Sequence, residues 1–386
     1  MALNQFLKER IDSELTARMD SGIFRRLRTS DPAKGILNLA SNDYLGFSSD
    51  PRLQKAGQDA ISKFGCSSSA SPLVTGFGEA HRDLLALIES WYGFETGIVW
   101  NTGYGANQAL LGLLPKSGDL VLADRLIHNS MISGVLASDA RLLRYRHCDL
   151  EHLEVLLKKY AIDDRVLFVV TESVFSMDGD FPDLKGIADL KKKYGFFWIL
   201  DEAHAVGWYG KEGSGLAEEY GVLDQVDALV GTLGKALGSM GAYTLFHEKA
   251  ISDYLVNFAG EFIYSTYLPP VCAAIATEAI RCVRKSSSLR KTGRDLSTRV
   301  RMQLEQIGLN VVPSDSPIVS IQIGEADRVV NLAKELESRG ILVGAIRPPT
   351  VPEGTSRLRI SLKADLAESS TNRLLEALEE ILIDLK

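Results

Sequence analysis

Between Thr96 and Phe246 the chain alternates short, continuous apolar runs with longer stretches of helical periodicity, and nothing else in the sequence constrains the fold as tightly. The runs are Thr96–Trp100, Leu120–Ala123, Leu142–Tyr145, Val166–Thr171, Phe196–Asp201, Ala228–Thr232 and Ala242–Phe246. Helical patterns fit around them, for example Glu79–Tyr92, Leu150–Tyr160 and Leu184–Tyr194. Runs without polar alternation suit strands buried on both faces, and strands interleaved with helices build a largely parallel sheet. The expected class is α/β, with a mostly parallel seven-stranded sheet.

The texture changes on either side of this region. Leu3, Phe6, Leu7, Ile11 and Leu15 fall at helical spacing, which predicts an amphipathic N-terminal helix to about Met19, followed by the arginine-rich turn "FRRLR" from Phe24 to Arg28. Beyond Cys282 a charged helical stretch leads to strands near Ile318–Ile323, Leu342–Gly344 and Leu358–Ser361. Helices are predicted at Asp327–Arg339 and Asp365–Leu385. The expected organisation is an N-terminal helix and arm over 1–40, a large domain over 41–282, and a smaller α+β domain over 283–386.

Bulk properties exclude several classes. The 386 residues carry a formal charge of −7 and no lysine- or arginine-rich block, which argues against nucleic acid as a partner. Four cysteines form no CxxC pair and no zinc spacing, so inert buried thiols in a reduced compartment are expected, with no metal. The opening residues do not read as a secretory signal and no apolar stretch is long enough to span a bilayer, so the expectation is a soluble, cytoplasmic protein.

One tetrapeptide tests this reading. Asp201-Glu202-Ala203-His204, at the end of an apolar run, is the magnesium signature of many nucleic-acid helicases. Such a motor also needs a Gly-rich phosphate loop ending in Gly-Lys-Ser/Thr. The nearest candidate, "GTLGKALG" from Gly231 to Gly238, has Ala236 after its lysine, its first glycine too close, and the wrong place in the chain order. The helicase reading fails on that partner.

Lys235 suggests other chemistry. It lies 34 positions beyond Asp201, flanked by Gly231, Gly234, Gly238 and Gly241, as in a loop that a flat ligand approaches closely. A lysine so placed can form an imine with pyridoxal 5'-phosphate (PLP), while an aspartate keeps the pyridine nitrogen protonated. Alone, Lys235 would read as a solvated turn residue. However, "NTGYGANQA" (Asn101–Ala109) is a glycine-rich strand-to-helix turn suited to a phosphate, and His128 in "DRLIHNSM" could stack on a ring.

The ordered segments "SNDYLG", "NTGYGANQA", "DRLIHNSM", "TESVFSMDGD", "DEAHAVG", "GTLGKALGSMGAY", "IYSTYLPP" and "SRLRISL" resemble the α-oxoamine synthases. These are fold-type-I PLP enzymes that condense an amino acid with an acyl-CoA and lose carbon dioxide. The resemblance covers essentially the whole chain. It implies that Lys235 carries the cofactor, that Asp201 partners the ring nitrogen and His204 the phenolic oxygen, and that His128 stacks on the ring. It places Gly103, Tyr104 and Thr232 at the phosphate, with Ser265 and Thr266 reaching it across a homodimer interface. Ser176 and Glu172 line the site. Asn42 and Arg359 hold the amino-acid substrate, the arginine gripping its carboxylate, a task suited to a bidentate guanidinium.

Within the family, "VGAIRPPTVPEGTSRLRISL" is most similar to the branch that serves biotin synthesis from L-alanine and a pimeloyl thioester, carried by coenzyme A or an acyl carrier protein. Arg25 then matches an arginine near the acyl entrance. The alternative is a member that takes glycine with a short acyl-CoA, such as glycine C-acetyltransferase. The segment "FGCSSSASPLVTGFG" departs from the family pattern through Ser67-Ser68-Ser69 and Ser71-Pro72, which bears on acyl specificity.

Overall fold

The computed structural model describes residues 3–27, 29, 35–161 and 165–384. Arg28 and Leu385, which end two predicted segments, lie outside the described residues.

Seven strands form the main sheet: β1 Thr96–Trp100, β2 Leu120–Asp124, β3 Arg141–Tyr145, β4 Leu167–Glu172, β5 Phe197–Asp201, β6 Ala228–Thr232 and β7 Ala242–Phe246. Their spatial order is β1-β7-β6-β5-β4-β2-β3. Only β7 runs antiparallel to its neighbours; the other pairings are parallel. Val169, Val170, Ile199, Leu200, Leu229 and Val230 are all buried, consecutive residues included. Helices covering both faces account for the absence of polar alternation. Parallel strands also bring the C-terminal residues Asp124, Glu172, Asp201 and Thr232 to one edge, where open α/β sheets bind ligands.

The second sheet is antiparallel: β8 Ile318–Gly324, β9 Gly344–Ile346 and β10 Ser356–Ser361, in the order β9-β10-β8. It has its own apolar core, including Leu296, Val300, Ile321, Leu358, Ile360 and Leu378. The segment Leu37–Leu39 joins it, with Leu37–Asn38 pairing in parallel with Ile341–Leu342. The turn after β4 presses against β8: at Gly179, φ is +74° and a Cβ would lie 2.2 Å from the Ile318 carbonyl oxygen, so only glycine fits. The Ser314 hydroxyl donates to the Gly179 carbonyl at 2.6 Å, fastening the same turn.

Two expectations need correction. Helix α1 (Gln5–Asp20) forms but buries no residue in the single chain, and Phe6 is 81% exposed. Helical spacing of apolar residues therefore did not mean burial within this chain. Of the four cysteines only Cys282 is buried; Cys66 is exposed on the serine-rich segment.

Candidate active site

Three residues meet where β5 and β6 end. Asp201 closes β5, His204 follows one turn later, and Lys235 sits in the glycine-flanked loop after β6. Lys235 Nζ lies 2.8 Å from His204 Nε2. Burial lowers the lysine to about 8, and Arg359 adds to this, while Asp201 and Glu172 pull the other way. Burial also holds His204 well below the ordinary imidazole value, reinforced by Lys235, Arg359 and His128, so its ring is neutral at pH 7. The Asp201 carboxylate is fixed at both oxygens, accepting from the Ala203 amide at 2.9 Å and from Asn107 Nδ2 at 2.9 Å.

Asn107 extends this arrangement. On helix α2 (Gly103–Leu113), its amide also donates to Ser130 Oγ at 3.1 Å, and Ser130 Oγ lies 2.7 Å from His128 Nδ1. His128 caps helix α3 (Asn129–Ala137), its Nδ1 accepting from the Ser130 amide at 3.2 Å. Its own backbone amide donates to Glu172. Glu172 stands beside Asp201 in the β4–β5 register, and burial followed by that neighbouring carboxylate raises it well above the usual range, against the pull of Lys235 and of the His128 amide. His128 is lowered by desolvation and by Lys235, against the pull of Asp201.

The N-terminus of α2 forms a cup. Thr102 caps it, accepting from the Gly105 amide at 3.0 Å. A Cβ at Gly103 would meet Thr232 Cγ2 at 2.8 Å, so the missing side chain lets Thr232 close over the free amides. Tyr104 does not enter this cup; it is exposed, stands edge-on to His128, and bonds Asn129 and Ser133 through its hydroxyl.

Arg359, on β10, is buried and reaches across from the smaller sheet. Its Nε donates to the Ser176 carbonyl at 2.6 Å, its Nη1 to Ser361 Oγ at 2.8 Å and its Nη2 to Asn42 Oδ1 at 3.1 Å. Ser176 thus contributes its backbone. Arg357, on the same strand face, pairs with Asp178 on the same turn. Tyr44 closes the group: its hydroxyl lies 2.7 Å from His204 Nδ1, 3.2 Å from Asn42 Oδ1 and 3.4 Å from Arg359 Nη2.

Other predicted residues stand apart from this cluster in the single chain. Thr266 is tied through its carbonyl to Asn101 Nδ2 at 2.7 Å, with Ser265 beside it. Arg25 bonds Thr350 Oγ1 at 3.3 Å and lines a surface cavity of about 840 Å³ with Phe24, Arg26 and Arg347. The serine-rich segment packs on the loop of Ser265 and Thr266: Ser68 Oγ donates to the Leu268 carbonyl at 2.6 Å and the Tyr267 amide to that of Ala70 at 2.9 Å. Glu202 turns away from the site and accepts from the Leu216 and Ala217 amides at 3.1 and 2.7 Å. Asp124, His147 and Cys148 cluster at the ends of β2 and β3. Both nitrogens of His147 are bound by carboxylates, Asp124 and Asp180, at 2.9 Å each. Burial would depress this ring, yet the two carboxylates push it up to about 12, leaving an imidazolium that cannot ligate a cation.

The donor set fits PLP. A lysine near neutrality, an anchored carboxylate, a neutral histidine and a helix N-terminus opened by glycine meet at one sheet edge. Sequence reading missed Asn107, Ser130 and Tyr44, although all three lie inside the recognised segments; their signal was membership of those segments rather than any spacing.

Comparison with known proteins extends this. The model of the aminotransferase class I and II family matches residues 34–378. An 8-amino-7-oxononanoate synthase of Anaeromyxobacter dehalogenans is 41% identical over 97% of this chain and 96% of its own length. One from Chlorobaculum parvum is 42% identical over 90% and 89%. Among solved structures, a serine palmitoyltransferase variant from S. paucimobilis with a bound PLP–myriocin aldimine superposes with a TM-score of 0.89, at 26% identity over 98% of both chains. The 8-amino-7-oxononanoate synthase of Francisella tularensis superposes with a TM-score of 0.78, at 28% identity over 90% of this chain and 98% of that one.

Proposed function

The chain belongs to the aminotransferase class I and II family, grouping there with 8-amino-7-oxononanoate synthases, and on that premise we propose that it condenses L-alanine with a pimeloyl thioester. The thiol and carbon dioxide leave, and 8-amino-7-oxononanoate remains. The observation that carries this reading is a buried arginine fork, Arg359 with Asn42, joined by hydrogen bonds to the Lys235–His204 pair. It offers an amino-acid carboxylate an anchor beside a lysine base.

Bound PLP supplies a carbonyl carbon that links to amines and a protonated ring that draws electrons from the amino-acid α-carbon. Asp201, its geometry set by Asn107 and the Ala203 amide, would hold the ring-nitrogen proton. His204 would hold the phenolic oxygen, His128 would cover a ring face, and the α2 amides with Thr232 would hold the phosphate. Lys235 Nζ, at about 8, takes the α-proton without the cost of deprotonating an ordinary lysine. Arg359, steadied by Asn42, would fix the substrate carboxylate and with it the orientation of the amino acid. Glu172, beside Asp201 in the register, holds the His128 backbone through its amide.

This reading includes a homodimer in which Ser265 and Thr266 of a second copy reach the phosphate. The exposed side chains of Val74 and Tyr264, close to that loop, support it. Arg25 would meet the far carboxylate of the acyl chain. The domain divisions at 40/41 and 282/283 and a cytoplasmic location belong to the same reading; no described helix is long and apolar enough to cross a membrane. The test is thiol release by the PLP-loaded protein, crossing L-alanine, glycine and L-serine with pimeloyl-, acetyl-, succinyl- and palmitoyl-CoA. Selective turnover of alanine with pimeloyl-CoA is expected. Preference for glycine with a short donor would overturn the substrate assignment and leave the chemistry standing.

A further inference from the structure

Tyr44 is fully buried in the main core, yet its hydroxyl touches three site residues at once, from a segment that is a strand of neither sheet. That segment is stapled to the smaller sheet: the Ala364 amide donates to the Tyr44 carbonyl at 2.8 Å and the Ser361 amide to Leu39 at 2.7 Å.

Proton counting limits what the hydroxyl can do. Arg359 Nη2 can only donate, so the Tyr44 oxygen accepts from it. The single phenolic proton goes either to Asn42 Oδ1, at 3.2 Å, or to His204 Nδ1, at 2.7 Å. The shorter contact is the better hydrogen bond, and Asn42 Oδ1 already has a donor in Arg359. With Nδ1 as acceptor, a neutral His204 carries its proton on Nε2, facing Lys235 Nζ at 2.8 Å. An N–H there needs an acceptor opposite, which a neutral amine provides and an ammonium does not, so this arrangement belongs to pH above about 8, where Lys235 has lost its proton. If the phenolic proton turned to Asn42, every link would reverse: His204 would carry its proton on Nδ1, and Nε2 would accept from a charged lysine.

We propose that Tyr44 is a positioning residue that fixes His204 as its Nε2–H tautomer and ties that choice to the arginine that grips the substrate carboxylate. A carboxylate arriving at Arg359 engages the same Nη2 that steadies Asn42 and Tyr44, so substrate binding is felt at His204 and Lys235 through one hydroxyl. The inference rests on the PLP reading only for its kinetic consequence; the tautomer is a property of this chain's own residues.

The test is 15N NMR of histidine-labelled full-length protein, before and after loading with PLP, in the wild type and in Tyr44→Phe. The chain has six histidines, so the spectrum is tractable. Above the Lys235 value of about 8, where the amine is neutral, wild type is expected to show His204 protonated on Nε2 and bare on Nδ1, and Tyr44→Phe to lose that preference. In the loaded enzyme the variant's KM for alanine should rise on the order of tenfold, the loss expected for one buried hydrogen bond to a charged group, with KM for the acyl donor unchanged. A wild-type His204 protonated on Nδ1 in that pH range would overturn the proposal even if the variant failed to fold. An unchanged tautomer and alanine KM in a folded Tyr44→Phe protein would overturn it as well. A protein that showed the expected tautomers but did not condense alanine would refute the proposed function and leave Tyr44's role intact.

Discussion

Replacing Arg357 by Met should weaken both the fold and the grip on the amino acid. The Arg357 and Asp178 side chains are 5% and 9% exposed, and their ion pair joins β10 to the turn after β4. Without the guanidinium, Asp178 keeps, among the described residues, Gln322 Nε2 at 3.2 Å as its side-chain donor. Burial already raises the Asp178 pKa, and Arg357 is the main force opposing it. Breaking a buried pair from one side costs ~3–5 kcal/mol. The stranded acid can escape by protonating, which at pH 7 costs ~4 kcal/mol for a group with an ordinary aspartate pKa and ~1.4 kcal/mol less for each pH unit below that. The expected loss is therefore ~3–4 kcal/mol at pH 7 and ~1–2 kcal/mol near pH 5. Adding Asp178→Asn should recover a large part of it at pH 7, because no charge is then stranded. Urea unfolding of the four proteins of this cycle, at both pH values, reads these differences. Arg359 lies two residues further along the same strand face and bonds Ser176 on the same turn, so KM for alanine should rise in the single variant. A loss below ~1 kcal/mol, or one equal at both pH values, would refute the claim that Asp178 is a buried charge dependent on Arg357.

Three other expectations follow from named contacts. Lys235→Ala should lower turnover by roughly a thousandfold or more while leaving the circular dichroism spectrum unchanged, since the amine is both cofactor link and base. In cofactor-free protein, acylation of Lys235 should rise with a midpoint near pH 8 rather than near the ordinary lysine value, because neutral amine accumulates as pH climbs through that lowered pKa; peptide mapping follows it. Gly103→Ala forces a methyl group against Thr232, a strain of ~1–3 kcal/mol, so a PLP titration of the apoprotein should show binding weakened about 5- to 150-fold.

The main sheet was legible because its strands are buried on both faces, and such strands announce themselves as unbroken apolar runs. The predicted Thr96–Trp100, Ala228–Thr232 and Ala242–Phe246 match the structure residue for residue. The helices on either side of the site were harder to read. Within Gly103–Leu113 and Asn129–Ala137, small residues let the pair pack closely, as where a Cβ at Gly134 would meet the Asn107 carbonyl at 2.8 Å. Such helices carry little polar contrast for a periodicity argument to use. At the site, Lys235, Asp201, His204 and His128 drew attention through their residue chemistry, whereas Asn42 and Arg359 entered through the family resemblance. Tyr44 and Asn107 escaped because a tyrosine among apolar neighbours and an asparagine in a helix look like packing until their partners are seen. Those partners, His204 and Asp201, lie 160 and 94 positions away.

The central claim is that this chain joins two carbon skeletons with loss of carbon dioxide, in a family whose model is named for amino transfer. L-Alanine labelled with 13C at the carboxyl carbon, supplied with pimeloyl-CoA to the PLP-loaded enzyme, tests it directly by mass spectrometry of gas, thiol and product. The account expects one labelled carbon dioxide for each free thiol and an unlabelled 8-amino-7-oxononanoate. Labelled pyruvate with no thiol released would show amino transfer instead and contradict it.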